Sequence, residues 1–156
     1  MIVKLLPILI ERGYTVSTIK HAHHNFDVDK PGKDSFEHRK AGASEVMIAS
    51  DKRWALMREH RRFIEPSPVT LIAKMKPVDI ILIEGFKKYT HPKLEVYRSH
   101  LAKPLLHPKD PDIVGIVSDQ AIKTTIKRLN IEDLHAIADF IENYCRLKQQ
   151  VSPEVV

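Results

Sequence analysis

The sequence predicts an α/β domain built on a mostly parallel sheet, and three observations carry that prediction. Strand-like and helix-like segments alternate along the chain. Val78-Asp79-Ile80-Ile81-Leu82-Ile83-Glu84-Gly85 is an almost unbroken aliphatic run closing on an acid and a glycine, the signature of a strand buried on both faces. Leu134, Ile137, Ala138, Ile141 and Cys145 recur at the spacing of one helical face.

The elements follow in order. Ile2 to Gly13 reads as a helix stopped at Gly13, with Pro7 awkward inside it because proline brings no N–H and crowds the preceding turn. Tyr14 to Lys20 alternates and is β-branched, hence a strand. After a polar stretch from His21 to Lys33, Asp34 to Gly42 reads as a short helix with Asp34 as cap and Gly42 as stop. Glu45 to Ala49 and Arg53 to Met57 read as strands broken at Ser50-Asp51-Lys52, with no obvious pairing partner nearby. Arg58 to Arg62 is a basic turn, and Pro66-Ser67-Pro68 opens a helix through Lys74. Leu94 to Tyr97 and Ile113 to Val117 are shorter strands flanking a proline-rich loop, Lys103 to Pro111. Asn130 is expected to cap the last helix, which runs to about Leu147, with Asp133 in its first turn.

Composition narrows the function. A chain of 156 residues, 43% hydrophobic and 29% charged, fits one compact domain. No apolar run approaches the ~20 residues of a membrane span. The start lacks the features of a signal peptide, and one cysteine, Cys145, excludes an internal disulfide framework, so a cytoplasmic protein is expected. A net charge of +5 favours anionic partners. Five glycines are too few for a glycine-rich phosphate loop of the chain's own.

Five motifs offer chemistry. The strand end at Glu84-Gly85 lies where open α/β sheets bind ligands: an acid there can hold Mg²⁺ and a glycine lets phosphate approach the backbone, although a merely solvated glutamate fits too. His21-Ala22-His23-His24, with Asp27 and Asp29 close behind, can bind a transition metal, contact phosphate or ribose, or form a plain polar loop. Pro31-Gly32-Lys33-Asp34-Ser35 is not a phosphate loop, because Asp27 and Asp34 stand where glycine and Ser or Thr are required; Lys33 still makes a basic entry to a helix. Asp119, closing the strand end Gly115-Ile116-Val117-Ser118, can accept the two-donor edge of guanine or serve as a turn aspartate. Lys52, Arg53, Arg58, His60, Arg61 and Arg62, interleaved with Trp54 and Phe63, form a basic segment without any RNA-recognition or helix-turn-helix pattern, so nucleic acid is not an expected partner.

Taken together, Ile19-Lys20-His21-Ala22-His23-His24, Asp27-x-Asp29-Lys30-Pro31-Gly32-Lys33-Asp34-Ser35, Arg39-x-Ala41-Gly42-Ala43, Arg53-Trp54-Ala55-Leu56-Met57, Ile83-Glu84-Gly85-Phe86-Lys87 and Val117-Ser118-Asp119 resemble the molybdopterin-guanine dinucleotide biosynthesis protein B (MobB) family over essentially the whole chain. The resemblance implies a single three-layer P-loop NTPase-like domain over residues 1–156. It also implies a dimeric, GTP-binding accessory protein with at most slow GTP hydrolysis. Such a protein assists the guanylyltransferase that joins GMP to molybdopterin. On the same ground Glu84, Asp27 and Asp29 are expected around Mg²⁺, and Lys20, His21, Lys33, Gly85 and Asp119 around the nucleotide. The segment from Glu45 to Met57 is expected to contribute to the dimer.

One departure matters. In the family a strand and a Walker A loop precede the first helix, whereas Met1 already stands inside what reads as that helix. The expectations are a start assigned too late, a sheet lacking its first strand, and weak GTP binding by residues 1–156 alone. A triphosphate is held mainly by the loop's N–H groups and lysine. The rival readings are a histidine-based metal-handling protein and a scaffold indifferent to nucleotide.

Overall fold

A computed structural model describes residues 1–22, 26–61 and 65–148, in two compact units: Met1–Lys20 with the chain from Lys76 onward, and His21–Met75.

The first unit holds helix α1 (Ile2–Glu11), strand β1 (Val16–Lys20), strands β4 (Ile80–Glu84), β5 (Lys93–Tyr97), β6 (Ile113–Ser118) and β7 (Lys127–Asn130), and helix α4 (Leu134–Cys145). Its strands form two parallel sheets, β1-β4 and β5-β6-β7, so the α/β, mostly parallel class holds. Leu5 and Leu9, one turn apart on α1, join Ile137, Ala138 and Ile141 of α4, Val117 of β6 and Leu129 of β7 in one core. Val16, Ile80 and Leu82 of the two-stranded sheet pack against the same core, so both sheets lean on the α1–α4 layer. The Arg12 guanidinium, just past α1, fastens this layer by donating to Asp139 and Glu142 of α4, each at 2.7 Å.

On the other face of β5-β6, Glu95 and Ile116 are register partners and both are buried. The connection after β5 covers that face with two short 3-10 turns in place of a long helix. Glu95 reaches it by accepting from the N–H groups of Leu106 (2.7 Å) and His107 (3.0 Å).

The second unit contains α2 (Asp34–Ala41), an antiparallel hairpin of β2 (Glu45–Ala49) and β3 (Trp54–Arg58), and α3 (Pro68–Ile72). Its buried apolar residues, among those described, are Val46 and Pro68, so a hydrophobic core alone does little to hold it.

Several expectations need correcting. β4 is half-buried rather than fully buried, because it has one neighbour, β1; β5 likewise has one, and both are sheet edges. The two strands read without partners pair with each other across a turn in which Ser50 Oγ accepts from the N–H groups of Lys52 and Arg53. Asn130 ends β7, a strand the polar segment Lys127–Asn130 did not announce; Asp133 is the cap, its carboxylate accepting from the Ala136 N–H at 3.0 Å. Lys33, not Asp34, holds the cap position of α2, and Asp34 falls in the first turn. Pro7 lies inside α1 on its exposed side.

Candidate functional site

Because all strands of the first unit run parallel within their sheets, their carboxyl ends collect the side chains able to meet a ligand. On β1 and β4 those end residues are Lys20 and Glu84, which are register partners. Lys20 Nζ lies 3.9 Å from Glu84 Oε1, with side chains 74% and 60% exposed. A pair this long and this solvated contributes little stability. Each charge can therefore trade its partner for a stronger one, a divalent cation for the carboxylate or a phosphate for the ammonium. Beyond Glu84 the chain turns sharply: Gly85 has φ of 99° and Phe86 φ of 50°. Two consecutive positive values suit glycine at the first position and are costly at the second. Burial of Phe86 and its edge-on contact with Tyr89, ring centroids 5.3 Å apart, secure the turn.

At the end of β6, Ser118 is fully buried and its Oγ accepts from the Gln120 N–H at 3.2 Å. Asp119 is exposed, and its two oxygens accept from the Ser99 N–H (3.0 and 3.2 Å), while Oδ2 also accepts from Ser99 Oγ (3.1 Å). The Ser99 amide, and then its hydroxyl, hold the Asp119 carboxyl below the usual carboxylate range. The acid read as a base-recognition group thus secures the turn after the neighbouring strand, β5. Ser99 was not foreseen: it is an ordinary serine remote in sequence from Asp119, and only the parallel pairing of β5 with β6 brings the two together.

In the second unit the charged residues converge on Arg39 of α2. Its Nε and Nη2 grip Asp29 at 3.1 and 2.6 Å, Nη2 also meets Asp27 at 2.8 Å, and Nη1 meets Glu59 at 2.8 Å. The Asp29 side chain is 2% exposed. Phe36, one turn earlier, lies under the guanidinium, 5.4 Å from ring centroid to Cζ. Arg39 holds the Asp29 carboxyl well below the usual range, and the three carboxylates together push Arg39 upward. The fork occupies both oxygens of Asp29, so in this arrangement Asp27 and Asp29 anchor the loop ahead of α2. Arg61 adds bonds from Nη2 to the carbonyls of Ala43 (3.1 Å) and Arg39 (3.3 Å).

Lys33 is exposed at the start of α2, and the His21 ring is hydrogen-bonded to the Glu65 carboxylate. His23, His24, Arg62 and Phe63 lie outside the described residues. Among those described, no cluster of three His, Cys, Asp or Glu side chains is arranged for a metal ion. The sequence places Asp27, Asp29 and Arg39 within the motifs that carry the family resemblance but does not show that the arginine is their common partner. The i, i+10 spacing of Asp29 and Arg39 has no regular-structure signal behind it.

The first unit is therefore an open, mostly parallel α/β fold with an acid, a cation and a glycine at its strand ends, the edge at which such folds place ligands. The family described as molybdopterin guanine dinucleotide synthesis protein B matches residues 1–119. A molybdopterin-guanine dinucleotide biosynthesis adapter protein of Haemophilus influenzae is 41% identical over 147 residues, covering 90% of this chain and 79% of that protein. Its namesake in Escherichia coli K12 is 40% identical over 143 residues, covering 88% and 81%. Among solved structures, a molybdopterin-guanine biosynthesis protein B superposes with a TM-score of 0.73 at 25% identity, covering 93% of this chain and 88% of that one. Bacillus subtilis MobB superposes at 0.65 with 19% identity, covering 96% and 89%, a likeness of fold. The chain belongs to the molybdopterin guanine dinucleotide synthesis protein B family.

Proposed function

We propose that this protein is an adapter in the biosynthesis of molybdopterin guanine dinucleotide, a guanine-nucleotide-binding accessory to the guanylyltransferase that attaches GMP to molybdopterin. Family membership supports the pathway. The observation that carries the nucleotide reading is the pairing of Lys20 and Glu84 at adjacent parallel strand ends, both exposed and followed by Gly85. In this reading Glu84 holds Mg²⁺, directly or through water, Lys20 meets a phosphate, and Gly85 leaves the backbone open to it. Asp119, at the carboxyl end of β6 in the other sheet, serves the guanine end through the turn it secures at Ser99. Asp27 and Asp29 work through Arg39, which keeps their own loop ordered. Any hydrolysis is slow in this reading.

The second unit supplies the dimer contact in this proposal. Met47, Leu56 and Trp54 line one face of the hairpin and are 61%, 46% and 63% exposed, an apolar strip suited to a second copy.

The test is co-purification of the chain with a molybdopterin guanylyltransferase, with and without GTP–Mg²⁺ at a concentration that saturates a weak site, for wild type and Glu84→Gln. The adapter reading expects nucleotide to strengthen the complex and Glu84→Gln to remove that effect. A complex equally strong in all four conditions makes the protein a nucleotide-indifferent scaffold. Tight Zn²⁺ or Ni²⁺ binding with no response to GTP makes it a metal handler.

A further inference from the structure

The ammonium group of Lys93 has no role in the site above, yet it is among the most fully engaged charges of the first unit. It lies at the first residue of β5, with a side chain 14% exposed. Nζ donates to the Tyr89 carbonyl at 3.0 Å, the Lys87 carbonyl at 3.2 Å and Asp110 Oδ2 at 2.8 Å, with Asp112 a further 3.7 Å away. An ammonium has three donors, and here all three are used. The acceptors are themselves fixed. Asp110 Oδ1 takes the Asp112 N–H at 3.1 Å, the Lys93 N–H goes to the Asp112 carbonyl at 2.8 Å, and the ladder shifts register between Lys93 and Leu94.

What Lys93 holds is the backbone immediately after Glu84. The segment from Gly85 to Pro92 joins β4 to β5, strands of different sheets, with no helix of its own, and it begins with two positive φ values, the second at a phenylalanine. A non-glycine residue keeps such a conformation only when its surroundings over-determine it. Phe86 is fixed by burial and by Tyr89, whose N–H donates to the Phe86 carbonyl at 3.0 Å. The Tyr89 and Lys87 carbonyls are in turn fixed by Lys93. Without Lys93, both carbonyls lose a charged donor.

We propose that Lys93 is a positioning residue for the Glu84 edge: by clamping the 87–89 turn to Asp110 it keeps the Gly85–Phe86 backbone in its strained form and so sets the direction in which Glu84 meets a Mg²⁺-bound phosphate. This rests on the nucleotide reading of that edge. The side-chain chemistry is specific, because a guanidinium is planar and cannot direct three donors from one point as an ammonium does.

The experiment compares wild type, Lys93→Met and Asp110→Asn by amide hydrogen exchange and by NMR titration with GTP–Mg²⁺. In Lys93→Met, exchange of the 86–91 amides rises about tenfold while Ile116 and Val117 of β6 keep their protection. The initial slope of the shifts at Lys20, Glu84 and Gly85 against GTP–Mg²⁺ falls about tenfold. Asp110→Asn keeps the carbonyl bonds and gives a smaller change in both readouts, which preserves the test should Lys93→Met fail to fold. Unchanged exchange at 86–91, or a rise shared equally with β6, overturns the clamp. Faster exchange with an unchanged titration slope also overturns the proposal, since Lys93 is then merely structural. A wild type that shows no nucleotide-dependent shift overturns the underlying nucleotide reading instead, and the exchange data still judge the clamp.

Discussion

Gly115 of β6 lies against Phe140 of α4, and replacing it measures how tightly that layer is packed. A Cβ built at Gly115 meets Leu94 Cδ2 at 3.0 Å, the Lys127 carbonyl oxygen at 3.3 Å and Phe140 Cζ at 3.3 Å. The leucine methyl ends a flexible side chain and can move. The carbonyl belongs to the β7 ladder and the ring to α4, so relief there means shifting strand or helix. Alanine gains about 0.4–1 kcal/mol by reducing the freedom of the unfolded chain. Overpacking costs about 1–3 kcal/mol and outweighs it. We expect Gly115→Ala to destabilise by about 1 kcal/mol, and Gly115→Val, with two further methyl groups, by at least ~3 kcal/mol. With a urea slope of about 2 kcal/mol/M, the alanine variant lowers the midpoint by roughly 0.5 M. Far-UV circular dichroism is the probe of choice, because Trp54, the one tryptophan, lies in the other unit. A Gly115→Ala protein as stable as wild type, or more so, would refute the close-packing argument.

Other expectations concern acid and assembly. The carboxyls of Asp29, Asp110 and Asp119 are held below their ordinary values by Arg39, Lys93 and Ser99 respectively. Each contributes stability that is present above an ordinary carboxyl pKa of about 4 and is lost as pH falls through its lower folded value. Burial first, and Lys93 second, push the His91 imidazole down, so its contribution is full above about pH 6.5 and shrinks as pH falls below that. The urea midpoint should therefore decline in two stages, and Arg39→Gln should shrink the lower stage, because Asp29 loses the cation that depresses its carboxyl. A midpoint constant from pH 7 to pH 3 would contradict both assignments. The hairpin face predicts a dimer by light scattering at high micromolar concentration, with Trp54→Glu or Leu56→Lys giving a monomer of unchanged stability; a wild-type monomer at that concentration refutes the docking surface.

The fold was largely readable where hydrophobic period and local signals agreed. The stripe of α4 and the β-branched run of β1 are examples, as is the left-handed Gly42 that ends α2. Reading failed where tertiary pairing decided. Lys127–Asn130 is polar with one buried side chain, Leu129, and becomes a strand only because β6 offers an edge. The aliphatic content of Ile80–Glu84 exceeds its burial, because burial depends on how many neighbours the strand has. At the site, Glu84 and Gly85 were found from the strand end that carries them, and Lys20 only through the family resemblance. The links from Arg39 to Asp27, Asp29 and Glu59, from Ser99 to Asp119 and from Lys93 to Asp110 were not found. Each joins residues whose separation follows no helical or strand period, so no local pattern records them.

The central claim is that the Lys20–Glu84 strand ends form the Mg²⁺–phosphate end of a guanine-nucleotide site. It is tested most directly by calorimetry with GTP–Mg²⁺ on residues 1–156 and on a chimera carrying a G-x-x-x-x-G-K-S/T loop ahead of Met1. Residues 1–156 hold no G-x-x-x-x-G-K-S/T sequence, and Glu84 alone repels a triphosphate. The account predicts weak binding by residues 1–156. It predicts at least a roughly hundredfold gain in the chimera, dependent on Mg²⁺ and lost in Glu84→Gln, since several charge-assisted bonds are added. Micromolar GTP binding by residues 1–156 alone, or a chimera indifferent to both Mg²⁺ and Glu84, would contradict it.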